Sequence, residues 1–250
     1  MTQKFIDDGA YLHKICQMLR EIEDNEMEAI EQAALAAYNS IKNGGLLHVF
    51  STGHSHMIVE ELFYRAGGLI PINPILSSDL MLHEKAITST LLERMPGKAE
   101  QVLKDSKLSP GDTIIISSNS GINIVPVEAA LYAKSKGITV VCITSRKVSE
   151  QLEPRHPEGL KLYQVSDIVI DNHAPMGDGL LEVPGSNQLT GGASTFGSLF
   201  IGQRIVLKIE NMYIAEGKTP PIYMSANLPR ADDYNQKIID QYKGRIRALS

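Results

Sequence analysis

No tryptophan occurs among the 250 residues, and phenylalanine and tyrosine bring the aromatic share to only 6%. A surface that stacks nucleic-acid bases relies on aromatic platforms, which are scarce here. Positive charge is short as well. Lys and Arg number 24 against 29 Asp and Glu, leaving a net charge of -5 and a pI near 5.8. A general electrostatic nucleic-acid binder carries a basic excess, so no nucleic-acid partner is expected. The two cysteines, Cys16 and Cys142, make neither a disulfide framework nor a repeated metal-ligand pattern. Cys142 lies in the apolar run 137–143 and reads as a small buried hydrophobe. Residues 1–8 carry acids where a signal peptide needs an apolar stretch, and no apolar run approaches the ~20 residues that span a bilayer. These absences predict a cytoplasmic protein with no membrane partner, no metal and no other cofactor. Glycine (20) and proline (12) are not in excess, which excludes collagen-like or low-complexity sequence.

What is present is ordinary globular sequence, 43% hydrophobic and 21% charged. Residues 4–42 have few helix breakers, and Leu12, Ile15, Cys16 and Leu19 recur at the spacing of one helix face. Ala29, Ala33, Ala36 and Ala37 continue a narrow stripe suited to close packing, expected against another subunit. Asn43-Gly44-Gly45 ends the helical part. Two units are therefore expected, a helical extension over 1–43 and a larger domain over 44–250. In the larger unit, apolar strands are predicted at 46–50, 70–75, 113–117, 138–143 and 165–171, with a weaker one at 180–183. Helices are predicted from Ser55 to about Ala66, at 88–104, before Gly137, at 192–215 and at 231–247. This alternation implies an α/β fold whose parallel sheet is flanked by helices on both faces.

Two strand-to-helix turns share one composition: Ser51-Thr-Gly-His-Ser55 and Ser117-Ser-Asn-Ser-Gly121, followed by Asn123. Such turns lie at the carboxyl ends of parallel strands, where α/β sheets bind ligands. Small hydroxyl residues and glycine let backbone N–H groups approach an anion, and a helix N-terminus favours one. Either turn alone is more simply a helix cap. Two together favour a small phosphate-bearing ligand.

At these residues the chain resembles the sugar isomerase (SIS) domain family. Ser118-Asn-Ser-Gly-Ile-Asn123 is similar to its Ser-x-Ser-Gly-x-Thr loop, and Ser51-Thr-Gly-His-Ser55 to its Gly-x-Gly-x-Ser loop. Thr139–Ser145 and Ser166–Ile170 resemble its next two strands, in the same order over residues 45–172. The long helical start and extended C-terminal part resemble members of the phosphoheptose isomerase kind and a subgroup beside them. The resemblance implies a SIS-type fold and a phosphosugar held by Ser51, Gly53, Ser55, Ser118, Asn119, Ser120, Gly121 and Asn123. It also implies a homodimer or homotetramer with the site near a subunit boundary. Asn123 stands where Thr is frequent, Ile122 where many members are polar, and Ser51 replaces the first loop glycine. These departures bear on the substrate more than on its phosphate.

Aldose–ketose isomerisation through an enediol needs a base to move a proton between adjacent carbons and an acid for ring opening. Glu60 and Glu61 follow the first loop by one to two helical turns and are candidate bases. Glu61 has a competing partner in Arg65 at i+4. His54 and His56 flank Ser55. Their spacing suits a metal, but no third ligand lies near in sequence, so a ligand contact by His54 is preferred. His173, in the loop Asp171–Asp178, is the candidate distant acid–base residue, with an ordinary turn as the alternative. His83-Glu84 more simply begins a helix. The expected function is binding and isomerisation of a phosphosugar. A lyase or etherase reaction and a non-catalytic phosphosugar sensor are the alternatives.

Overall fold

The computed structural model describes residues 5–249. Within the stretch expected as one helix, the chain forms a hairpin of α1 (Ala10–Asn25) and α2 (Met27–Lys42). No glycine or proline marks the break at Glu26. Its cause is tertiary, because the Glu26 carboxylate accepts the Asp171 N–H at 3.1 Å and meets His173 Nε2 at 3.0 Å. Residue 4 of the expected helix lies outside the described residues, and residues 5–9 are not helical.

Strands β1 (Leu47–Ser51), β2 (Ile72–Ile75), β3 (Thr113–Ser117), β4 (Thr139–Thr144) and β5 (Ile168–Asp171) form one sheet, ordered β2-β1-β3-β4-β5. Every pairing is parallel. Side chains alternate between its faces as a strand's period of two requires. Leu47, Val49, Ile115 and Val141 join one core; Phe50, Ile114, Ile116 and Val140 join the other. The first core is roofed by α2, α3 (Met57–Leu62) and α9 (Ser194–Ala215), and the second by α5 (Lys98–Leu103), α6 (Ile124–Ser135) and α8 (Leu162–Val165). Each fully buried Ile, Leu or Phe contributes about 1.5–3 kcal/mol, so the two cores dominate stability. Cys142 is fully buried in the second, and burial pushes its thiol up to about 12, as suits a hydrophobe.

The alanine stripe does not reach outward as expected. Ala33 and Ala37 are buried in the core shared with α9, Ala29 packs partly buried against it and Ala36 is half-buried, so the stripe serves the close approach of two helices of this chain. The helix expected at 88–104 is two helices, α4 (Leu82–Leu92) and α5, separated at Pro96-Gly97, where Gly97 takes φ +77°. Short α7 (Arg146–Gln151) and α8 lead from β4 to β5. Beyond β5, β6 (Gly179–Glu182) and β7 (Leu189–Gly192) form an antiparallel hairpin, and α10 (Ala231–Tyr242) lies near the C-terminus. Asp178 caps α9 by accepting the Ser194 N–H at 2.7 Å, and Thr190 and Gly191 belong to β7.

A buried polar cluster ties the opposite end of the sheet. His48 in β1 is fully buried, with Nε2 2.9 Å from Asp112 Oδ2. Asn73 Nδ2 lies 2.9 Å from His48 Nδ1, an arrangement that fits a neutral ring donating from Nε2. Asp112 also accepts the Leu46 and Ser109 N–H groups and Arg245 Nη2. Burial alone would raise the Asp112 carboxyl, but the bonds from His48 and the Leu46 N–H outweigh it and hold it below the usual range. Asp112→Ala removes the common acceptor and strands the others. It is expected to cost about 3–5 kcal/mol of unfolding free energy, read from urea denaturation.

Candidate functional site

The chain reverses direction across the sheet at β1 and β3. From β1 it crosses to β2 on one side, then returns to place β3 on the other. The carboxyl ends of β1 and β3 therefore diverge into two loops with a crevice between them, where open α/β sheets bind ligands.

The second loop is built by its carbonyls. The Asn119 carbonyl accepts the Ser145 N–H at 2.9 Å, the Gly121 carbonyl the Leu162 N–H at 2.8 Å, and the Ile122 carbonyl the Arg155 N–H at 3.0 Å. All three donors come from the chain after β4. The N–H groups of Ser120, Ile122 and Asn123 have no acceptor among the described residues. Successive unpaired N–H groups make an anion-binding concavity. Gly121 is required at its position. Its φ is +61°, and a Cβ there would lie 2.9 Å from Thr144 Oγ1. Ser118 Oγ accepts the Gly121 N–H at 3.3 Å, while the Ser120 hydroxyl is half-buried and has no partner among the described residues.

The first loop runs as a 3-10 turn, Gly53–His56, into α3, with Gly53 at φ +54°. The Ser51 hydroxyl is spent inside the fold, donating to the Ser117 carbonyl at 2.5 Å. Ser55 lies against Ser194, Thr195 and Ser198 at the start of α9, and Ser198 Oγ is 3.5 Å from Ser117 Oγ. His54, His56, Met57 and Glu60 line a cavity of about 490 Å³ with Leu82 and His83 of α4. No group of three or more potential metal ligands occurs among the described residues.

The structure sorts the expected residues. Ser55, Ser118, Ser120, Gly121 and Asn123 occupy the two loops. Asn119 is there too, but its Oδ1 accepts from Asn172 Nδ2 at 3.1 Å, which ties the β3 loop to the end of β5. Glu60 and His54 face the same cavity, and His56 Nε2 lies 3.4 Å from Glu60. The Glu61 carboxylate is occupied by Arg65 and by Gln203 of α9. His173 turns its ring to Glu26 in the helical hairpin; its neighbour Asn172 faces the second loop.

Two residues escaped the sequence reading. Thr52 Oγ1 donates to Glu93 Oε1 at 2.6 Å, and the Glu93 carbonyl accepts the Val125 N–H at 3.1 Å. One residue just after α4 is thereby fixed to the first loop and to the helix following the second. Only the fold brings Glu93 there, since 40 residues of sequence and a strand intervene between it and Thr52. Arg155 is the other. Its guanidinium bonds Asn123 Oδ1.

Residues 10–145 match the family model described as SIS domain. A UPF0309 protein of Geobacillus sp. is 41% identical over 96% of this chain and 97% of its own length. A UPF0309 protein of Halalkalibacterium halodurans is 38% identical, covering 97% of this chain and 99% of the relative. Among solved structures, a phosphoheptose isomerase from Francisella tularensis superposes with a TM-score of 0.52 at 18% identity. That match covers 81% of this chain and 96% of the other, a likeness of fold.

Gly121→Ala forces a side chain into left-handed backbone against Thr144. It is expected to cost about 1–2 kcal/mol or more, seen as a lowered Tm. For His173, the hydrogen bond to Glu26 outweighs the opposing effect of burial and raises the pKa above its ordinary value. The folded state therefore holds the proton more tightly than the unfolded chain. That stabilisation is complete below about pH 6.5 and is lost as pH rises through the raised value. Glu26→Gln should return the His173 titration, followed by NMR, toward about 6.5 and flatten this part of the Tm-against-pH curve.

Proposed function

The chain belongs to the SIS-domain family, and on that premise we propose that it binds a phosphorylated sugar between its first two loops and isomerises it by proton transfer. The observation that carries the reading is the second loop, where the N–H groups of Ser120, Ile122 and Asn123 and the Ser120 hydroxyl have no partner among the described residues. Ser55, Ser118, Ser120 and Asn123 hold the phosphate. Ser51 and Asn119 serve by bracing the loops, and Gly53 and Gly121 by the backbone they permit.

We assign the base to Glu93. It is positioned on both sides of the crevice, through Thr52 and Val125, and its Oε2 has no partner among the described residues. A base fixed relative to the phosphate site loses little freedom in reaching the C2 proton. Glu60 stands further into solvent, its side chain 58% exposed, and is placed with His54 and His56 to assist ring opening. Assembly as a homodimer or homotetramer in the cytoplasm belongs to the same reading. Ile87 and Leu91 of α4 support it, left 82% and 59% exposed one helical turn apart.

Ser120→Ala is expected to weaken a sugar phosphate by about 1.5–3 kcal/mol in calorimetry and to leave the unphosphorylated sugar unchanged. Equal losses for both would reject the phosphate assignment. Glu93→Gln should lower hydrogen exchange at C2 by roughly 100-fold or more while binding persists. Exchange lost only in Glu60→Gln would move the base to Glu60. Exchange accompanied by loss of a C3 substituent would identify the lyase or etherase reaction. Binding by the unaltered protein without any exchange would identify a sensor.

A further inference from the structure

Arg155 lies in the stretch between α7 and α8, which carries it onto the second loop. Its N–H donates to the Ile122 carbonyl at 3.0 Å, and its Nη1 bonds Asn123 Oδ1. The side chain is exposed and forms no ion pair with a carboxylate among the described residues. A guanidinium has five N–H donors, and here one neutral amide oxygen receives from it. Asn123 is equally unusual. It stands at the N-cap of the 12-residue α6, a position where Asn normally accepts a helix N–H, yet its side chain makes no such bond. The cap oxygen goes to Arg155 instead. An unneutralised cation thus sits beside a loop whose N–H groups also lack an acceptor.

We propose that Arg155 binds the ligand phosphate directly, exchanging the Asn123 oxygen for two phosphate oxygens, and sets the preference for dianionic phosphorylated ligands over neutral ones. This rests on the second loop being the phosphate site. Planar guanidinium matches a pair of phosphate oxygens, and a charged partner adds what hydroxyls and amides lack. Backbone anchoring at Ile122 keeps the arginine over the loop whichever acceptor it uses.

Titration calorimetry on the full chain with inorganic phosphate, fructose 6-phosphate and fructose tests both levels. Arg155→Met is expected to weaken both phosphate ligands tenfold or more, leave fructose unchanged and flatten the salt dependence of phosphate affinity. Arg155→Lys should recover part of the loss. Because the side chain is exposed, Tm should stay within a degree or two. A loss below threefold in Arg155→Met, alongside a clear loss in Ser120→Ala, would overturn the role of Arg155 and leave the phosphate site standing. If the unaltered protein bound neither phosphate ligand, the site and the inference would fall together. Asn123→Ala separates direct contact from positioning. Arg155→Met should cost as much in that background as alone, and no further cost there would show that the arginine acts only through Asn123 and overturn the proposal.

Discussion

The orientation of a few peptide groups between Asn119 and Asn123 governs what the crevice offers. Backbone N–H and C=O groups come in equal number, so a loop can present donors to a ligand only by disposing of its acceptors elsewhere. Ser145, Leu162 and the Arg155 backbone supply that disposal, each taking one carbonyl. The chain after β4, with α7 and α8, thus serves as the other half of the loop. Gly121 makes the arrangement possible by taking the left-handed turn between the two outer carbonyls, and Thr144 closes the space around it.

The same economy explains why similar residues divide into contacts and braces. Ser51 and Ser55 sit four residues apart in one loop, but Ser51 is buried and bonded across to β3, while Ser55 opens toward the start of α9. Asn119 and Asn123 divide likewise, one locked to Asn172 and the other tied to an exposed arginine, Arg155. Glu60 and Glu61 differ by about 100° around α3, enough to send one to the cavity and the other to Arg65 and α9.

Much of this was legible in the sequence. Strands β3, β4 and β5 are short β-branched runs and β1 and β2 short buried segments, and the two serine-rich loops follow directly from the first and third strands. Helix α9 ends where residues 192–215 predicted, and Glu61 has the i+4 partner its spacing announced. Other features depend on contacts distant in sequence. The break at Glu26 answers to Asp171 and His173, and the cap of α9 to Asp178. The division of α4 from α5 was written in Pro96-Gly97, which a purely periodic reading passes over. Glu93 had no local signal, being one acid among many until β1 and α4 are set side by side.

The packing of α2 against α9 also fixes when the molecule can be completed. Both helices roof the same sheet face, but they stand near opposite ends of the chain, with all five sheet strands between them. A nascent chain that has made α2 and the five sheet strands still leaves the core of Leu47, Val49, Ile115 and Val141 without the cover that α9 brings. Synthesis therefore passes through an interval in which a finished sheet carries an incompletely covered apolar face, relieved only when residues 194–215 clear the ribosome.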